Sequence, residues 1–292
     1  MNNYDDILNH SPAEKPPQIS KEEYSEKKQA ERDALYETSD AAALEVASNS
    51  ADFQKYLDTQ ARLTRYSAVN TLLIMEVKPE ATRLGDFDYW KGKKCSIKAG
   101  EVGISILEPK EYIKADNTVG VGYNVKKVFD ISQVNTKRLK VTPPPSYDDR
   151  QLLKALVHKL PVPIRAVDEI PNGGGAMTDP QTGEIFVLKG MEFKDTFRCV
   201  ANQIALTEVD KDYVADPQFT AYCASYILCK KHGVDTKDYS FDDVEHMFSG
   251  MDSREIKSEL TQIRDTANEV LGRMHRQLNT PQKESKSQDA RS

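Results

Sequence analysis

Apolar side chains in the first half of the chain recur first at helical and then at strand spacing. The helical pattern comprises Phe53, Leu57, Leu63 and Tyr66, and it predicts an amphipathic helix. A second helix is predicted to begin after Ser67, which can cap it, and to end before Pro79. Further on, residues 102–107 predict a buried strand, and residues 120–131 predict one or two strands that pair with it. This half is therefore predicted to pack helices against a small antiparallel sheet.

The second half is predicted to be mostly helical with a small sheet. Helical spacing marks residues 152–157, 193–208, 216–231 and 241–247, and short strand patterns occupy residues 162–167 and 184–188. A long final helix over residues 253–279 carries one apolar stripe, formed by Ile256, Leu260, Ile263, Ala267, Val270, Leu271, Met274 and Leu278. The whole chain is predicted to belong to the α+β class.

A run of prolines divides these two halves. Consecutive prolines favour an extended, semi-rigid spacer, so residues 142–147 are predicted to link a domain at residues 45–141 to a second domain at residues 148–279. Residues 1–44 are polar and are predicted to be largely disordered, with a helix from Lys21 as the alternative. The polar tail, residues 280–292, is also predicted to be disordered.

Charge and composition limit the classes of partner. A net charge of −6 excludes a protein coated in basic surface, so any contact with nucleic acid must be a local patch. No apolar run is long enough to cross a bilayer, and the N-terminus lacks the form of a secretory signal, so a cytoplasmic protein is expected. The four cysteines never form a C-x-x-C pair, which makes zinc ribbons and redox pairs unexpected.

One segment, residues 62–109, concentrates groups that suit single-stranded nucleic acid. Six cations are candidates to meet phosphates: Arg62, Arg65, Lys91, Lys93, Lys94 and Lys98. Tyr66, Tyr89 and Trp90 offer ring faces on which unpaired bases can stack, and Ser67 and Asn70 can hydrogen-bond the backbone or bases. The alternative is that Trp90 and Tyr89 anchor the core while the lysines form an ordinary solvated rim.

Several runs follow one another in a set order in this segment and after it: Tyr66, Ser67 and Asn70 leading into Leu72-Leu73-Ile74; Pro79, Ala81 and Thr82; Phe87, Trp90 and Lys91; Lys98, Gly100, Glu101, Gly103, Ile104, Ile106 and Leu107; and Val128-Phe129-Asp130-Ile131-Ser132-Gln133. They fall within the predicted domain at residues 45–141, about a third of the chain. Their order resembles the N-terminal domain of ArdC-type antirestriction proteins, a family of mobile elements that includes LtrC-like proteins. The resemblance implies that this domain binds single-stranded DNA.

The second half is similar to the C-terminal domain of the same family, which is a zinc metallopeptidase of the zincin kind. The matches are residues 175–180, Lys189-Gly190-Met191 and residues 233–241. Where the family carries its H-E-x-x-H zinc signature, this chain has Asn202, Gln203 and Leu206, and the third ligand position falls at Tyr222. These side chains offer neither imidazole ligands nor a glutamate base. The resemblance therefore implies a pseudo-metallopeptidase domain with no metal, no cofactor and no catalytic residue.

Two functions follow from these observations. The five histidines are far apart in sequence, and no nucleophile elbow is present, so no other catalytic centre is predicted. The first hypothesis is a non-enzymatic, single-stranded-DNA-binding accessory protein of antirestriction type, from a plasmid, phage or conjugative element. The alternative is a protein-interaction module built on the inactive peptidase fold, in which the long helix over residues 253–279 docks a partner.

Overall fold

The computed structural model describes residues 20–114, 116–137, 139 and 145–279. The disorder predicted for residues 1–19 and 280–292, and the linker residues 142–144, lie outside the described residues. The helices are α1 (Lys21–Ser48), α2 (Ser50–Arg62), α3 (Ala68–Val77), α4 (Phe87–Gly92), α5 (Asp149–Leu156), α6 (Phe193–Glu208), α7 (Pro217–His232), α8 (Val244–Met247) and α9 (Ser253–Leu278). The strands are β1 (Leu84–Gly85), β2 (Ser96–Ile97), β3 (Ile104–Ile113), β4 (Val119–Asp130), β5 (Val134–Asn135), β6 (Ile164–Val167), β7 (Ala176–Thr178) and β8 (Ile185–Leu188).

The sheets are small and mostly antiparallel, which together with the helices confirms the α+β class. β3 and β4 form a long hairpin, and β1 adds to the outer edge of β4. β2 pairs with β5 in a separate two-stranded ladder. In the second half, β8 lies between β6, which runs parallel to it, and β7, which runs antiparallel. The predicted strands are thus present, and β3 extends beyond its predicted end.

Helix α1 begins at Lys21, which confirms the alternative prediction of a helix there and corrects the disorder predicted for residues 21–44. Ser20 closes a capping box with Glu23 at the start of this 28-residue helix. Its buried face, near the C-terminal end, consists mainly of small side chains: Ser39, Ala42, Ala43, Val46 and Ala47. Alanine contributes little to a hydrophobic pattern, yet it is the best helix former and lets neighbouring helices approach closely. Tertiary packing of this face stabilises a helix whose first half is polar.

The largest apolar core contains side chains from both sides of the proline run. Phe53 of α2 is fully buried, and its ring centroid lies 5.7 Å from Phe219 of α7 and 5.4 Å from Phe241. Tyr226 of α7 donates its hydroxyl to the Asp58 carboxylate of α2 at 2.6 Å. The helices of the first predicted domain therefore pack on those of the second. The domain bounds themselves stay a prediction.

Most of the apolar stripe of α9 is buried inside this core. Ile256, Leu260, Ile263, Val270 and Met274 are each at most 2 % exposed. They pack mainly against α7 and α5, with further contacts to α1 and α6. A partner cannot bind at these five positions without unfolding the core, whereas Leu271 and Leu278 of the same stripe are half-buried. Within the part of the chain that the structure describes, no helix is long and apolar enough to cross a membrane.

Candidate nucleic-acid interface

Asn70 is a structural residue rather than a ligand-binding one. Its side chain is buried, and it both donates to the carbonyl of Leu107 and accepts from the Leu107 amide, each at 2.8 Å. This pair of bonds holds α3 against β3. Ser67 caps α3 and accepts from the Asn70 amide at 3.2 Å. The assignment of Asn70 to nucleic-acid contact is therefore corrected, since both polar groups of the amide already have backbone partners.

Trp90 anchors the core, which decides between the two interpretations of this residue. The indole is 0 % exposed, packs with Cys95 and Val134, and donates its N–H to the Phe129 carbonyl at 2.9 Å. The prediction that Trp90 stacks on bases is wrong, because no face of the ring is accessible. The neighbouring Tyr89 is 38 % exposed and packs edge-on against Trp90, with ring centroids 5.0 Å apart.

Arg62 is largely committed to its own protein. Its half-buried guanidinium donates to the Thr59 hydroxyl at 3.1 Å, to the Ala81 carbonyl at 3.3 Å and to the carbonyl of Pro79. These bonds fasten the loop after α3 to the end of α2. Arg62 is accordingly a poor candidate for phosphate contact, because a ligand would have to compete with three internal acceptors.

Lys91 and Lys94 face a shared depression of about 500 Å³, together with Lys137. Asp86 caps α4 by accepting from the Tyr89 amide at 2.7 Å, and buried Trp90 fixes the helix on the sheet. The chain then turns at Lys94, which has the left-handed φ of 59°. None of the described residues lining the depression carries a carboxylate; the others are Cys95, Ser96 and Asn135. Three exposed ammonium groups around one concavity suit phosphate oxygens.

The β2–β5 ladder explains how Lys137 joins this depression. Ser96 of β2 is paired with Asn135 of β5, which places the residues after β5 beside those before β2. Lys137 was not predicted from the sequence, because two paired strands of two residues each are too short to give a hydrophobic pattern. The run at residues 128–133 that resembles the family ends just before β5, so it did not indicate the ladder.

Lys93 and Lys98 lie beside the depression, but the ammonium group of each already contacts another group of the protein. The Lys93 ammonium lies 5.9 Å from the centroid of the Tyr89 ring, a cation–π distance. The Lys98 ammonium donates to the Ser132 carbonyl at 2.7 Å. Both side chains are exposed and keep unused donor capacity, because an ammonium has three N–H groups. They add positive charge beside the depression without lining it.

Tyr66 and Tyr89 lie at a different, smaller pocket of about 280 Å³. Lys126, at this pocket, pairs with the carboxylates of Asp86 at 2.9 Å and Glu108 at 2.6 Å. Its hydrogen bonds to Glu108 and then to Asp86 raise the pKa of Lys126. Burial raises the pKa of Tyr66. Two carboxylates against one ammonium make this pocket unsuited to phosphate, although its two tyrosine rings suit a flat, uncharged group.

Arg65 is exposed and lines a third concavity, a groove of about 990 Å³ against α7 and α9. The residues that the sequence grouped into one patch are therefore divided among the lysine depression, the tyrosine pocket and this groove.

Two of the four positions aligned with the zinc site, Asn202 and Tyr222, line one cavity of about 420 Å³ in the second half. Leu206 packs against the core instead. Gln203 accepts from the Thr178 hydroxyl at 2.8 Å, and the Tyr222 hydroxyl accepts from the Ser240 amide at 3.0 Å. Burial raises the pKa of Tyr222. Among the described residues, no group of three or more His, Cys, Asp or Glu side chains is placed to hold a metal ion.

Comparisons with known proteins give a structural similarity but no sequence match. No family model and no curated protein matches this chain. Among solved structures, the chain is similar to the metal-free form of the antirestriction protein ArdC from plasmid R388, with 13% identity and a TM-score of 0.49, over 72% of this chain and 86% of that one. The Mn(II)-bound form gives the same identity and score over 74% and 86%. This chain is thus similar in structure, at low sequence identity, to an antirestriction protein of a plasmid.

Proposed function

We propose that this protein binds single-stranded DNA at the lysine depression and acts as an antirestriction-type accessory protein of a mobile element. The observation that carries the DNA-binding part is the convergence of Lys91, Lys94 and Lys137 on a concavity whose described lining has no carboxylate. The antirestriction part rests on the motif resemblance, from Tyr66 to Gln133, described above.

Two kinds of contact contribute to the proposed binding: phosphates contact lysine ammonium groups, and unpaired bases stack on an aromatic ring. Phosphates of the strand release counterions when they meet the lysine ammonium groups, which supplies affinity without sequence preference. Tyr89 lies on the same helix as Lys91 and is exposed, so an unpaired base has a ring to stack on. A duplex keeps its bases stacked on one another and gains only the phosphate contacts. Single strands are therefore expected to bind more tightly than duplexes of the same sequence.

The first prediction is that a Lys91→Ala/Lys94→Ala/Lys137→Ala variant loses single-stranded DNA binding. The dissociation constant is expected to rise by at least about tenfold at moderate salt. Losing three phosphate contacts should also lower the log–log salt slope by about 2, at roughly 0.7 per phosphate on single strands. Fluorescence anisotropy with a labelled oligonucleotide, titrated at several salt concentrations, measures both quantities.

A matched control separates a local site from net charge. Lys154, Lys194 and Lys211 are exposed lysines that lie on other elements of the second half. Their triple alanine variant changes the net charge by the same amount and is expected to bind DNA as the wild type does. If both triple variants lose binding equally, the lysine depression is not the site.

The proposal includes a non-enzymatic second half, and zinc content tests that part. Asn202 offers an amide instead of imidazole, the Gln203 oxygen is engaged by Thr178, and Leu206 has no lone pair. The expected result is far less than one zinc per chain after purification from zinc-supplemented medium, measured by plasma mass spectrometry. A stoichiometric metal that chelator removes only slowly would contradict this prediction.

A further inference from the structure

The groove lined by Arg65 brings together four separate parts of the chain. They are the loop after α2, the segment from Pro145 to Leu152, the C-terminal end of α7 with Lys231 and His232, and one face of α9 with Arg264 and His275. Asn268 of α9 donates its side-chain amide to the Thr64 carbonyl at 3.0 Å, which holds the loop against α9 and places Arg65 at the groove. Its volume of about 990 Å³ is at the upper end of the range of about 300–1,000 Å³ for ligand pockets.

The charged side chains that line this groove are all basic. Arg65, Lys231 and Arg264 are permanent or near-permanent cations, and none of the described lining residues carries a carboxylate. Arg264 pairs through Nη1 with Asp265, an exposed residue outside the lining. Burial, and to a smaller extent the like charge of Arg65, lower the pKa of Lys231. An anion in the groove would favour the charged form of this ammonium.

Two buried nitrogen atoms of the groove residues lack partners. Arg264 Nε and His232 Nε2 form no hydrogen bond with any described residue. Burial lowers the pKa of His232 to about 4, so its ring is neutral at pH 7, and one tautomer presents Nε2–H as a donor. Buried donors without acceptors are rare, because leaving them unpaired is costly. Both nitrogens are closed off from solvent, so a ligand would reach them only after the side chains that cover them shift.

Another part of the groove is apolar. Tyr147, Leu152, Leu271 and Leu278 lie along its lining beside the cationic residues. A small inorganic anion would leave this surface without a partner. A ligand that joins phosphate oxygens to a flat or apolar group matches both parts, and a nucleotide unit has that composition.

We propose that this groove binds the phosphate of a nucleotide unit through Arg65, Lys231 and Arg264, with the base or sugar against the apolar lining. The unit comes either from a free nucleotide or from a nucleic-acid strand. The site shares no lining residue with the lysine depression, and it does not depend on the function proposed above.

The test compares three probes on the full-length protein by isothermal titration calorimetry. The probes are deoxyadenosine 5′-monophosphate, deoxyadenosine without phosphate, and a short oligodeoxyadenylate. We expect the nucleotide or the oligonucleotide to bind at least about tenfold more tightly than the nucleoside, because the nucleoside lacks the charged oxygens. Binding of the mononucleotide identifies a free-nucleotide site, whereas binding of the oligonucleotide alone identifies a strand.

The variants assign the binding to the groove. Arg65→Ala/Lys231→Ala changes two exposed side chains. This variant is expected to bind the phosphate-bearing probe at least about tenfold more weakly than the wild type does. Lys194→Ala/Lys211→Ala, with the same charge change, is expected to bind as the wild type does. Circular dichroism checks that each variant is folded. Absence of binding by both phosphate-bearing probes, or equal binding by the groove variant and the wild type, overturns the proposal.

The same titrations keep this site apart from the lysine depression. In the Lys91→Ala/Lys94→Ala/Lys137→Ala variant, loss of oligonucleotide binding with retention of mononucleotide binding supports both sites. If that variant binds the oligonucleotide normally while Arg65→Ala/Lys231→Ala does not, the oligonucleotide binds at the groove and the assignment to the lysine depression is wrong.

Discussion

Trp90→Ala is expected to destabilise the protein by about 3–5 kcal/mol, the usual cost of removing a large aromatic side chain from a core. The indole is fully buried between α4 and the β2–β5 ladder, where it contacts Cys95 and Val134. Its loss leaves a cavity and also removes the hydrogen bond to the Phe129 carbonyl. Because Trp90 fixes α4 on the sheet, the variant should also lose the arrangement of Lys91 and Lys94.

Urea unfolding followed by circular dichroism measures this effect without relying on tryptophan fluorescence. Trp90→Phe is the matched control: it keeps most of the buried ring but loses the N–H donor, so a smaller decrease in midpoint is expected. In the wild type, whose only tryptophan is Trp90, adding single-stranded DNA should leave the fluorescence unquenched by stacking. A Trp90→Ala variant as stable as the wild type would contradict the buried position.

The sequence predicted best those features whose causes are local. Ser67 and Pro79 bound a predicted helix, and α3 spans Ala68–Val77 between them. The apolar stripe of the last helix is also correct in its positions, because helical periodicity alone determines them. What that stripe packs against is a long-range property. The same pattern suits a free docking face or a core helix, and only the fold shows that α7 covers it.

The candidate interface was harder to predict because lysines and arginines of similar sequence context have different surroundings. Arg62 and Arg65 are three residues apart, yet Arg62 donates to internal carbonyls while Arg65 faces a groove formed with α7 and α9. Lys94 and Lys98 differ in the same way, since one lines the depression and the other donates to Ser132. Their partners lie far away in sequence, so no local pattern separates them.

The alignment in the second half predicted proximity that periodicity could not. The resemblance places Asn202 on α6 and Tyr222 on α7 at two ligand positions of one metal site, and both side chains line one cavity. The described wall of that cavity includes amide, aromatic and carboxylate groups, with Asp216 and Asp242 among them. That this cavity corresponds to the zinc site of the family stays a prediction of the resemblance.

Phe53→Ala is expected to destabilise both halves of the molecule together, by about 3–5 kcal/mol. Phe53 belongs to α2, which precedes the proline run in sequence. Its ring packs against Phe219, Phe241 and Phe248, which all follow the proline run. Removing the ring takes one member from a cluster of four and leaves the other three facing a cavity. If the two halves share one core, the damage must spread beyond α2.

Hydrogen exchange measured by mass spectrometry distinguishes shared from independent stability. In Phe53→Ala, amides of α7 (Pro217–His232) are expected to exchange faster than in the wild type, along with those of α2. Phe53→Leu keeps much of the buried volume and should retain most of the protection. Faster exchange confined to α2, with α7 unchanged, would show that the halves unfold separately. Faster exchange in both helices would mean that the groove is held by a core common to both halves, because α7, which carries Lys231, packs on α2, and α9, which carries Arg264, packs on α3.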